Sequence, residues 1–240
     1  VSGSGYVKVK GGSGYDRLVL APISSTTSLL FNDHQFNHAQ RTIDFVDSLD
    51  RIEVTDNAAL STVVSAENAS WGATDFSLTS AGLIDVRNAV LVAPDALISL
   101  QGTGVKGTLI TRVAELTVVN LGTDADTATH GIVVREADSL TIVDDGRSHG
   151  GLYSPHGLID VMLSDRESLF SLNSGVLTTG TSGQSIKIVA DDIDFASGDN
   201  KVSGTGELTL KSRWNEQGYR IGAAGQSTFG YDYSPNAETG

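Results

Sequence analysis

Gly82-Leu-Ile-Asp-Val86, Gly107-Thr-Leu-Ile-Thr111, Gly131-Ile-Val-Val-Arg135, Gly157-Leu-Ile-Asp-Val161 and Gly183-Gln-Ser-Ile-Lys-Ile188 open successive stretches of the chain in one way. Each is a glycine followed by a short apolar, β-rich run. The glycines stand at 82, 107, 131, 157 and 183, at intervals of 25, 24, 26 and 26 residues. Repetition at this period marks a repeat architecture. A second strand follows each glycine. Leu91, Leu116 and Leu140 fall 9 residues after theirs, Ile193 falls 10 after and Leu169 12 after. Runs such as Glu115-Leu-Thr-Val-Val119 and Ser139-Leu-Thr-Ile-Val143 have the length and alternation of strands and lack a helical period.

A unit this short cannot bury its apolar face alone. Stacking units in register places like positions about 4.8 Å apart and makes one shared core. The pattern predicts an all-β chain, a right-handed parallel β-solenoid (β-helix) of about 25 residues per coil. It covers 41–211, after a β-rich lead-in over 1–40 and before an aromatic-rich tail over 212–240. Residues 31–40 read as a loop or short helical insertion. Gln101-Gly-Thr-Gly104, Asp144-Asp-Gly-Arg147 and Ser197-Gly-Asp-Asn200 read as corners, where Gly, Asp and Asn accept left-handed backbone angles. The alternation of Gly131-Ile-Val-Val-Arg135 leaves its inward face open, since a one-residue slip exchanges the faces. Trp214, Tyr219, Phe229, Tyr231 and Tyr233 in the tail are placed to cover the last coil.

Composition narrows the function. The 240 residues carry 16 Lys and Arg against 29 Asp and Glu, a formal charge of −13, with 27 Gly and no Cys. That balance argues against nucleic acid and anionic membranes as partners. No apolar run is long enough to span a bilayer, and no disulfide or Cys-based zinc site exists. Beginning at Val1 without an initiator Met, the chain reads as a piece of something longer.

Ile188-Val-Ala-Asp-Asp-Ile-Asp-Phe195, Val202-Ser-Gly-Thr-Gly-Glu-Leu-Thr-Leu210 and Gly218-Tyr-Arg-Ile-Gly222 resemble repeats of giant bacterial surface adhesins of the filamentous-haemagglutinin-like kind. The match is specific over 183–222 and diffuse over 82–182. It implies a secreted, extracellular β-solenoid stalk or scaffold at the bacterial cell surface, without catalysis. Its partners would be neighbouring segments of the same large protein, a lateral copy, or a cell-surface or glycan receptor.

Two alternatives stand beside this. Gly11-Gly-Ser-Gly-Tyr-Asp-Arg-Leu-Val19 resembles one copy of the calcium nonapeptide of RTX proteins. That resemblance implies a calcium-dependent assembly module held through Gly12, Gly14 and Asp16. Asp124 and Asp126, two apart in a loop, and Asp191, Asp192 and Asp194 are further carboxylates for a hard cation. The plainer reading of each is a corner or a solvated acidic surface, and no cofactor is required. The second alternative is a β-helix polysaccharide lyase or hydrolase. Asp144 and Asp145 would be acid and base, with His149 positioning them and Arg147 holding a uronate. Against it, adjacent strand residues point to opposite faces, so a corner loop is the reading carried forward. His34 and His38 lack the Glu of a zinc helix, His130 and His156 precede repeat glycines, and Asp44, Asp47 and Asp50 read as a solvated face and its turn.

Overall fold

The computed structural model describes residues 5–23, 27–32, 35–38, 41–45, 49–56, 60–65, 71–87, 90–122, 131–180, 183–195 and 201–213. Among them there is no helix. The strands form one sheet of fifteen and one of seven, and every strand pair is parallel except two.

Parallel in-register pairing stacks like on like, and here it builds two unbroken ladders. Leu18, Ile52, Phe76, Ile98, Leu116, Ile142, Leu172 and Phe195 are successive partners through eight rows. So are Leu20, Val54, Leu78, Leu100, Val118, Leu152, Leu177 and Val202. The six inner members of each are at most 2% exposed. Full burial of one such side chain contributes about 1.5–3 kcal/mol. Seven steps of about 4.8 Å extend the stack roughly 34 Å along the hydrogen-bonding direction. The mean step along the first ladder is (195 − 18)/7, about 25 residues.

The long strand Leu109–Asn120 shows how one row leads to the next. On one edge it carries three later strands end to end: Ile132–Glu136, Leu140–Ile142 and Gly151–Tyr153. Each founds its own column. The first continues the apolar row Leu109, Val134, Val161, Ile188 and Leu210. Ile132–Glu136 buries Ile132, Val134 and Glu136 and turns Val133 and Arg135 outward, which settles its inward face. Early in the chain the seven-stranded sheet supplies Ile84 and Val105 to the same core. Trp71 joins the sheets, edge-on to Phe45 at 5.6 Å and to Phe76 at 4.9 Å.

Four expectations are corrected. The Gly82 run is not a row below the Gly107 run. Leu83–Asp85 pairs with Gly104–Lys106 in the smaller sheet, whereas Leu109 pairs with Val134 in the larger. Leu91 pairs with Thr111 and not with Leu116, whose partner is Ile98, and Phe170, not Leu169, takes the inward place between Leu140 and Ile193. The segment at 35–38 is a strand, antiparallel to Thr27–Asn32 and Arg41–Phe45, in place of a loop or helical insertion. The ladders also start earlier than residue 41, at Leu18. The aromatic tail lies outside the described residues beyond Arg213.

Gly107 shows why a repeat position demands glycine. Its φ is +106°, and a Cβ there would stand 2.8 Å from the Arg87 Cα. Gly151 is tighter, with φ +103° and the Val176 carbonyl oxygen 2.2 Å from a would-be Cβ.

Candidate functional site

The acidic corner Asp144–Gly150 is an excursion between two strands of one row, Leu140–Ile142 and Gly151–Tyr153. It folds back over the outer face of earlier rows. Asp145 Oδ2 accepts from the Ser99 hydroxyl and from Arg147 Nε at 2.6 Å, and Oδ1 accepts the Arg147 backbone N–H at 3.2 Å. Arg147 Nη1 reaches further, to Thr79 Oγ1 at 3.0 Å, and Thr117 donates to the Val143 carbonyl at 2.5 Å. Ser77, Ser99 and Thr117 stack on the outer face, yet all are buried. The loop is a strap that covers them.

The two carboxylates therefore have separate surroundings. The Asp145 side chain is fully buried. Burial pushes its pKa up, but the Ser99 hydroxyl and the Arg147 guanidinium and N–H outweigh burial and hold it below the ordinary value. Asp144 is exposed and closes its own turn by accepting the Gly146 N–H at 2.9 Å. His149 is exposed, with φ +66°, and stacks on Tyr153 at 4.1 Å. Both Asp145 oxygens are committed to internal donors, and the buried ion pair positions the strap.

The Gly-rich loop is likewise closed on itself. Asp16 Oδ2 accepts the Gly12 N–H at 2.6 Å, and the Asp16 N–H donates to Asp50 Oδ2 at 2.6 Å. Gly14 takes φ +112° between them. The Asp16 carboxylate thus ties its own turn through Oδ2. Among the described residues no three His, Asp or Glu side chains gather as a metal centre. Asp124, Asp126, His34, His130 and Asp47 lie outside the described residues, as does the side chain of His38. Asp44 accepts a hydrogen bond from the Tyr6 hydroxyl. Asp191 is buried and its Oδ2 accepts the Glu167 N–H at 2.8 Å, bracing a residue with φ +61° in the preceding row; Asp192 is exposed and Asp194 half-buried. His156 is half-buried near the Gly157 turn.

One chemically distinctive residue escaped the sequence reading. Glu136 is fully buried at the end of its strand, between Thr111 and Leu163 in register. Its carboxylate accepts the backbone N–H groups of Val113, Ala137 and Asp138 at 3.3, 2.8 and 3.3 Å. Burial outweighs these bonds and pushes its pKa up to about 7. The signal was present: Glu136 continues the inward alternation of Ile132 and Val134.

These residues define a class, an all-β protein of stacked parallel rows whose polar corners are tied by internal hydrogen bonds. No family model, no curated protein and no solved structure matches the chain.

Proposed function

We propose that the rows close into a right-handed parallel β-solenoid, and that the chain is a structural stalk or scaffold segment of a large secreted bacterial surface adhesin or extracellular filament. The observation that carries this is the pair of eight-rung apolar ladders, a core that grows only by adding rows. A coiled path is supported by the way Leu109–Asn120 is followed by Ile132–Glu136, back in the column where Leu109 began. A structural role is supported by the strap, where Asp145 and Arg147 spend their hydrogen bonds on Ser99 and Thr79. The adhesin-like stretch over 183–222 points to the surface and to neighbouring segments as partners.

Antiserum raised against the chain tests the reading. It is expected to label intact, unpermeabilised cells of the producing bacterium and to detect a band far larger than 240 residues. Labelling only after lysis, or a band of the chain's own size, contradicts it.

A further inference from the structure

Strand pairing among the described residues joins each row only to the next, so the stack is a series of nearest-neighbour contacts. The strap at 144–150 reaches further. Counted along the first ladder from Leu18, Phe76, Ile98, Leu116 and Ile142 mark rows three to six. The strap leaves row six after Val143, whose carbonyl accepts from Thr117 of row five. Two residues on, Asp145 accepts from Ser99 of row four. Two residues further, Arg147 Nη1 donates to Thr79 of row three at 3.0 Å. The chain then turns back, and His149 stacks on Tyr153 in row six.

We propose that the strap is a lock that makes rows three to six yield to force as one unit instead of one row at a time. The geometry suits this. An extended backbone advances about 6.6 Å in two residues, against about 4.8 Å between rows. Contacts at 143, 145 and 147 therefore step down the stack one row each, across the strands rather than along them. The grip is shielded from water: the Asp145 side chain is 0% exposed and that of Arg147 21%. Burial lets the ion pair and its hydrogen bonds act at low dielectric, with little screening by salt. Val119, in the same outward alternation as Thr117, is 0% exposed as well.

A pull along the chain meets the lock from either side. From one side, rows one and two can peel, but row three carries Thr79, which row six holds. From the other, rows eight and seven can peel, but row six cannot leave while the strap grips Ser99 and Thr79. Rows three to six run from Asp75 to Tyr153, 79 residues (153 − 75 + 1). At about 3.5 Å per residue, opening them together releases roughly 280 Å of chain, against roughly 90 Å for one row of about 25 residues. Resisting tension is the work of a stalk, so the use of the lock rests on the surface-stalk reading. The lock itself rests on the strap alone.

Single-molecule stretching of the full chain tests this. The wild type is expected to show one release of about 280 Å. Thr79→Val with Ser99→Ala removes both grips from outward-facing positions without touching the core, and replaces that release with row-sized ones of about 90 Å. A wild type and a variant that release chain in the same pattern, whether row by row or all at once, overturn the proposal. Should the variant fail to fold, as judged by circular dichroism, hydrogen exchange of the wild type in low denaturant decides. Amides of Asp75–Ser80 and Gly151–Tyr153 are expected to open together with one denaturant slope, distinct from that of Leu169–Leu172 in row seven. Separate openings of the two, or one opening shared with row seven, overturn the lock. Row-by-row release from a chain that still labels intact cells sinks the lock and leaves the surface-stalk reading standing.

Discussion

Glu136 makes stability depend on pH in a direction the structure dictates. Its folded pKa is about 7 against an ordinary 4.5. Between those values the folded chain binds more protons than the unfolded one, so stability falls as pH rises. The contribution is fully present below pH 4.5 and lost once pH passes 7. A difference of about 2.5 pH units at 1.36 kcal/mol each amounts to about 3 kcal/mol. Asp75 and Glu115 are also raised, chiefly by burial, and slope the same way. The clean comparison is therefore between wild type and Glu136→Gln. The glutamine carbonyl keeps the Ala137 and Asp138 N–H groups, while its amide nitrogen cannot accept from Val113, a pH-independent loss of about 1 kcal/mol. Urea unfolding at pH 4.5 and pH 8 measures both. The variant should be the less stable at pH 4.5 and the more stable at pH 8, the gap shifting by about 3 kcal/mol. A gap that does not move with pH refutes the reasoning.

Phe170→Ala, at a fully buried rung between Leu140 and Ile193, should cost about 3–5 kcal/mol by chemical denaturation; a cost under about 1 kcal/mol would place Phe170 outside the core. Asp145→Ala strands Arg147 beside Ser99 and should cost about 3–5 kcal/mol, while Asp144→Ala stays within about 1 kcal/mol. Equal stability with joint loss of a polysaccharide-cleaving activity would instead restore the acid–base pair. Melting in chelator and in millimolar calcium should give the same midpoint, because Asp16 is already bound to the Gly12 N–H; a lower midpoint in chelator contradicts this.

The period was legible because stacking imposes it: rows average about 25 residues, as the glycines do. Its phase was not. Individual steps range from 18 residues between Ile98 and Leu116 to 34 between Leu18 and Ile52, because loops of different length leave a row without disturbing the ladder. Turn residues can be spaced regularly while the strands beside them belong to different sheets, as Gly82 and Gly107 show. The corner at Asp144 was legible as a corner. Its grip was not, since Ser99 lies 46 and Thr79 68 residues from their partners in it, and no local pattern encodes such contacts. The hairpin at 35–45 was missed because Gln35-Phe-Asn-His38 lacks β-branched residues, and pairing on both edges supplies what propensity does not.

The register of the rows can be measured directly, since the chain has no cysteine of its own. Glu115, Thr141, Ser171 and Asp194 form one outward-facing row beside the first ladder. Cysteine pairs at 115/141, 141/171 and 171/194 sit about 4.8 Å apart, within disulfide reach. Each should cross-link readily under mild oxidation, whereas Thr141→Cys with Arg166→Cys, at a uniform 25-residue spacing, should not. Cross-linking of the 141/166 pair in place of 141/171 would contradict the stacked ladders on which the fold and the strap both depend.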